Sequence, residues 1–481
     1  MAIYKHGVYV GEQETNLVIP NESTAGLQVI FGTAPINLAD TSNVNNPVIC
    51  YSFSDAVKAL GYSDDWEKFT LCQSMDACFR LYSIAPVIFV NVLDPKTHTK
   101  VLNATAPIVG GKATLEQEGV LTDGLTVKVA SSELTLGEDY ELSFDSNGYL
   151  VATFLKSQTG TATFEGNELD TSKVTANDII GSLDASTGVE TGLELVRKIY
   201  PMYGLNAGLL LAPGWSHNPT VAAALQAKCT AINGCYSCEC LIDIPTDGED
   251  GAKVYADVKA AKESLGVNDK HAYALWPMIK VGDKKYYYSA VMGALIAQCD
   301  ADNGDVPAVS PSNKSLNVTA TVLADGTEIY LDQEQANLVN SYGVTTALNL
   351  NGIKSWGNNT AAFPSTTDPK DKWFAVRRFF SWWGNNFIRR YFQKVDDPTN
   401  YRLIESIVDS ENIIGNGYVA RGYCAEAKCS FLADENPVTD ILSGKIKFHL
   451  YLAPYTPAES IEAILEFNPS AITESIFGGE Q

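Results

Sequence analysis

Short apolar runs recur from residue 25 onwards with helical stretches between them. This alternation limits the chain to an α/β architecture with a mainly parallel sheet covered by helices. Residues 27–32, 87–92, 208–212, 239–244 and 272–276 read as buried strands. Residues 54–60 form a short helix stopped by Gly61, and 193–200, 219–232 and 250–265 are helical. Residues 66–84 form a longer helix, with Phe69, Cys72, Met75, Phe79 and Tyr82 on one face. Residues 98–190 break the rhythm. They are rich in Thr and Gly, lack Trp and Cys, and hold alternating runs at 125–129 and 149–154. Turn pairs Asp123-Gly124 and Asn147-Gly148 punctuate them. The block reads as an all-β insertion that interrupts one α/β domain.

The chemistry of catalysis is sparse. Five histidines limit His-based mechanisms. Ser216-His217 is followed by Asn218 where a nucleophile elbow needs glycine, so the pair reads as a turn leading into a helix. Cys229, Cys235, Cys238 and Cys240 are the best zinc candidate, but the spacing also fits small apolar residues on a helix and a core strand. Asp300 to Asp305 has carboxylates spaced like a calcium loop without the downstream glutamate, and reads as a solvated turn. Gly110-Gly111-Lys112 lacks the following Ser or Thr of a phosphate loop. The expectation is a non-enzymatic protein with no cofactor. A net charge of −23 argues against direct nucleic-acid binding. No apolar run approaches the ~18 residues of a membrane span. The first residues lack a signal-peptide core, which predicts that most of the ten cysteines are free thiols in a reducing cytoplasm.

The two ends and one basic segment remain. Residues 1–20 read as an extended arm, with Ile3, Tyr4, Val8, Tyr9 and Val10 as its strand-forming side chains. At ~3.3 Å per residue such an arm reaches roughly 65 Å. Residues 370–394 hold seven basic residues and one acidic one, on a helical apolar spacing that Gly384 to Asn386 could kink. Three readings stand for this helix: a core-facing stripe, arginines paired within the chain, or docking to an acidic partner. Residues 445–452 form a period-2 strand with Ile446, Phe448, Leu450 and Leu452 on one face. Beyond it, Thr456 to Glu459 fits a capping box, while Ile461, Leu465 and Phe467 alternate as on a strand. The residues alone leave strand and helix both open.

Read in order, several of these segments resemble one family. The run from His6 to Glu12, followed by Phe31 to Pro35, is similar to the start of contractile tail sheath proteins of myophage tails and phage-tail-like bacteriocins. Val376 to Arg378 and Gly417 to Gly422 resemble the opening of that family's C-terminal domain, and Ser443 to Glu459 its terminal motif. The resemblance implies an α/β body (21–97 and 191–370) with an inserted all-β domain (98–190), an α+β C-terminal domain (371–481) and extended terminal arms (1–20 and about 460–481). It favours a strand over 460–467 and implies helical polymerisation through exchanged strands. The arms donate (Ile3, Tyr4, Val8, Tyr9, Val10, Ile461, Leu465, Phe467), and strand 445–452 accepts. Contraction from a metastable extended state then drives an inner tube through a cell envelope. Arg377, Arg378, Arg389 and Arg390 are the expected contacts to an acidic tube. The implied partners are the chain itself, the tube, the baseplate and the tail terminator, in a virion or tail-like particle assembled in the bacterial cytoplasm. The rival readings are the sheath of a cell-attached injection system and an α/β enzyme with a cysteine-ligated metal.

Overall fold

Six parallel strands form the centre of the largest sheet because their side chains are buried on both faces, which only uninterrupted apolar runs permit. The computed structural model describes residues 21–22 and 24–477. Across the sheet the strands lie in the order Ile353–Trp356, Val344–Asn349, Ala272–Leu275, Glu239–Asp243, Leu209–Leu211, Gln28–Gly32, Val87–Asn91 and Val48–Cys50. The two outermost pair antiparallel with their neighbours and the inner six run parallel. Helices Pro219–Lys228, Val258–Leu265 and Tyr288–Asp302 bury apolar residues of the same core.

A seven-stranded antiparallel sheet is built from residues 99–169 and encloses its own core, including Leu102, Val127, Leu150 and Phe164. Its departing strand Thr99–Val109 and its returning strand Thr161–Leu169 pair over their full shared length, from Pro107 opposite Thr161 to Thr99 opposite Leu169. The chain therefore leaves the body and returns to it at one place.

Some helices are shorter than their periodicity suggests. The helix expected over 66–84 is a single α-turn, Leu71–Met75, running on as π-helix Asp76–Leu81. It cannot begin earlier because Thr33 takes the next amides: its Oγ1 accepts from Thr70 at 3.0 Å and its carbonyl from Leu71 at 2.9 Å. Helix Phe374–Tyr391 instead runs unbroken through Gly384 to Asn386. Asn385 bonds the backbone of Ser237 at 3.0 and 2.6 Å, so it does not compete for its own helix.

Open α/β sheets take ligands outside the carboxyl ends of the strands where the strand order reverses. That place lies between Gln28–Gly32 and Leu209–Leu211, and the chain's own side chains fill it. Thr70 packs against both Gly32 and Gly214, and its Oγ1 accepts from the Thr33 amide at 3.1 Å and from Trp215 Nε1 at 3.3 Å. Behind it, Ser216 Oγ donates to the buried Asp243 at 2.9 Å, and Ser289 donates through its amide at 2.8 Å and its hydroxyl at 2.5 Å. His217 stacks on Tyr287 at 5.4 Å, and burial lowers its pKa. Ser216 and His217 are thus committed to separate contacts.

Burial pushes the Asp243 carboxyl up to about 6, against the hydrogen bonds that favour its charge. A carboxyl raised on folding stabilises the fold fully below its unfolded value of about 4, and that contribution is lost as pH rises through about 6. Asp243→Asn is therefore expected to remove a loss of up to roughly 3 kcal/mol between pH 4 and 7. Urea denaturation of both proteins at the two pH values checks this. An unchanged difference between them would exclude Asp243 as the source.

Candidate assembly interface

The basic helix Phe374–Tyr391 lies between the body and helix Tyr401–Ala420, and its position decides what its arginines can reach. Arg378 is buried and forms a two-pronged pair with Asp300, at 3.1 Å from Nη1 and 2.5 Å from Nη2. Asp300 is equally buried, in the last turn of helix Tyr288–Asp302. It is therefore not part of the solvated acidic turn the sequence suggested. Arg390 binds Glu411 at 3.2 and 2.6 Å, and the same buried carboxylate accepts from Trp383 Nε1 at 2.8 Å and the Tyr391 hydroxyl at 2.9 Å. Arg377 reaches Asp371 at 3.1 Å and is mostly covered. Of the four arginines expected to face an acidic tube, only Arg389 is exposed. The other three are corrected to internal ties, because both sides of the helix are packed and each guanidinium meets a carboxylate of this chain.

The C-terminal strands form a two-stranded antiparallel sheet, Cys424–Ser430 with His449–Pro454. The strand expected from 445 starts at His449. The Asn436 side chain accepts the Lys447 amide at 2.7 Å and donates to its carbonyl at 2.9 Å, which takes up the bonds a ladder would need. Leu450 and Leu452 pack inward on Phe379, Trp383, Cys424 and Ala427. Phe448 meets the rings of Phe387 and Phe431 at 6.2 and 5.7 Å, and Ile446 is half-buried. The expected apolar face is thus spent on the chain's own core. Gly415 lets helix Tyr401–Ala420 touch this sheet, since a Cβ there would strike the carbonyl of Ala427. Each of the two strands keeps one edge with no strand beside it among the described residues.

Past Pro454 the chain has no regular structure until helix Pro469–Phe477, so the strand expected over 460–467 is not formed. Asn468 and Pro469 supply the helix start, with Asn468 Oδ1 accepting from Ser470 at 3.1 Å. Ile461, Leu465 and Phe467 are 88%, 94% and 76% exposed. A strand needs a partner for its backbone groups, and residues 460–467 lie beside no strand among the described residues. Lys372 and Glu459, 3.6 Å apart, pair the start of this tail with the short helix Pro369–Lys372. Ile3, Tyr4, Val8, Tyr9 and Val10 lie outside the described residues. Of the zinc candidates, Cys229, Cys238 and Cys240 lie side by side in the core while Cys235 is exposed, and among the described residues no group of three or more His, Cys, Asp or Glu is placed to hold a metal ion.

No family model matches the sequence. The tail sheath protein of Burkholderia phage BcepMu is 29% identical over 485 residues, covering 96% of each chain. The tail sheath protein of Escherichia phage P2 is 25% identical over 319 residues, 65% of this chain and 75% of that one. Among solved structures, the contracted sheath complex of the extracellular contractile injection system PVC shares the fold at a TM-score of 0.58 and 15% identity, over 98% of this chain and 99% of that one. The anti-feeding prophage sheath in its contracted state gives 0.57 at 14% identity, over 96% and 98%. Along nearly its whole length the chain is similar to contractile tail sheath proteins in sequence and shares their fold. Its homologues are structural sheath proteins and not enzymes.

Removing one side of a buried ion pair strands the other charge. Arg378→Ala is expected to cost about 3–5 kcal/mol, whereas Arg389→Ala should stay within about 0.5 kcal/mol. Thermal and urea melts of the two variants compare them directly. Equal effects would overturn the assignment of Arg378 as an internal tie.

Proposed function

We propose that this chain polymerises helically around an inner tail tube and contracts from a metastable extended lattice, with neighbours linked by exchanged strands. The observation that carries this reading is the pairing of a two-stranded sheet with open edges and a tail that exposes large apolar side chains. Open edges present unpaired N–H and C=O groups, and a neighbour's arm satisfies them by adding a strand. Residues 1–20 and 460–467 are the donors in this scheme. The acceptor is the backbone edge of Cys424–Ser430 or His449–Pro454, since Leu450 and Leu452 already face inward.

The same reading divides the chain into a linking arm (1–20), an α/β body (21–97 and 191–370), an inserted β domain (98–190) and a C-terminal assembly domain (371–481). The self-enclosed core of residues 99–169 and the separate apolar cluster around Phe379 and Trp383 support that division. Similarity to a chain in the structure of the anti-feeding prophage baseplate, at a TM-score of 0.58, supports baseplate association. The tube and the terminator complete the set of partners, in a phage or tail-like particle assembled in the host cytoplasm. Contraction needs no nucleotide here: the links hold while bodies rotate and make new contacts.

Deleting residues 1–12, or truncating after Pro454, is expected to leave a folded monomer that no longer builds linked sheaths with its tube. Circular dichroism checks the fold, and negative-stain microscopy checks the assembly. Normal contractile sheaths from either shortened chain would sink the strand-exchange scheme.

A further inference from the structure

Within the six residues that end helix Tyr288–Asp302 and follow it, the chain touches three distant segments. Asp305, at a φ of 61°, accepts the amides of Thr24 at 2.8 Å and Ala25 at 2.7 Å, and also the Thr24 hydroxyl. Asp300 holds Arg378 of the basic helix. The carbonyl of Asn303 accepts the hydroxyl of Tyr423 at 2.7 Å, and Tyr423 directly precedes strand Cys424–Ser430. The next residue, Val306, lies in the apolar cluster of Phe379, Trp383, Cys424 and Ala427. The turn is braced internally by the Asp305 amide on the Asp300 carbonyl at 2.8 Å and the Gly304 amide on that of Ala301 at 3.2 Å.

These contacts join the two places that strand exchange requires. Thr24 and Ala25 follow closely on Asn21–Glu22, at the root of the proposed N-terminal arm. Tyr423 is the root of the proposed acceptor sheet. Asn21–Glu22 also pairs with Ile84–Ala85, so the arm root has a second tie, but that one leads into the body and not to the C-terminal strands. Three hydrogen bonds to one carboxylate make the Asp305 tie the more specific of the two.

We propose that the turn 300–305 is the junction that fixes the arm root to the acceptor sheet within one subunit, with Asp305 and Tyr423 as positioning residues. This rests on the strand-exchange reading. In a linked lattice, a pull on one end of a subunit then passes to its other end through this turn. It need not pass across the eight-stranded sheet. The turn thereby sets the geometry between the link a subunit gives and the link it receives.

Hydrogen–deuterium exchange on the unassembled full-length chain tests the junction. Asp305→Ala is expected to speed exchange about tenfold at Thr24 and Ala25, and also in Cys424–Ser430. Tyr423→Phe, which keeps the ring, should loosen Cys424–Ser430 and in turn Thr24 and Ala25, because coupling is reciprocal. Asp305→Asn keeps an acceptor oxygen and should restore most of the protection. If each variant loosens only its own contact, the junction is overturned. The readout needs no assembled sheath, so its failure is distinct from failure of strand exchange, which the shortened chains test separately.

Discussion

The buried pair between Arg378 and Asp300 is the constraint on which the C-terminal half depends. Taking two charges out of water costs much of what their attraction returns, so such a pair adds little net stability. What it fixes is position. A forked guanidinium on a carboxylate admits one geometry, and that geometry sets helix Phe374–Tyr391 against the end of helix Tyr288–Asp302. From there the order propagates outward. Phe379 and Trp383 then meet Cys424 and Ala427, and Glu411 gathers Trp383, Arg390 and Tyr391 onto the next helix. The two-stranded sheet has no sheet of its own to lean on, and two strands alone are marginal in water. It stands because these helices give it an apolar floor.

The contrast between interior and ends follows from the same economy of contacts. The central strands are buried on both faces, and the crevice that could have admitted a ligand is closed by Thr70, Trp215 and a saturated Asp243. The tail beyond Pro454 shows the opposite, with Ile461, Leu465 and Phe467 in open solvent. A body that keeps its shape and a tail that does not satisfy itself suit the linked, moving lattice proposed above.

Much of this was legible in the sequence, for physical reasons that differ by region. The parallel strands announced themselves because burial on both faces demands unbroken apolar runs, as in Leu209–Leu211. The antiparallel block announced itself through period-2 alternation and turn pairs. The fates of the arginines were hidden, because the partner of Arg378 lies 78 residues away and that of Arg390 lies 21 residues away. Helical spacing gave each arginine a place on the helix and nothing about what it meets there. The late start of strand His449–Pro454 was hidden in the same way, in the side chain of Asn436. Residues 460–467 carry a pattern compatible with two structures because their own chain does not decide between them.

The pairing of Thr99–Val109 with Thr161–Leu169 has a consequence of its own. Because the chain departs and returns on neighbouring strands, the body sees the whole of that sheet as the stem of one hairpin. Whatever hangs beyond the stem changes neither the spacing nor the direction of the two junctions. That sheet can therefore be enlarged, trimmed or replaced while the α/β body it springs from keeps its dimensions.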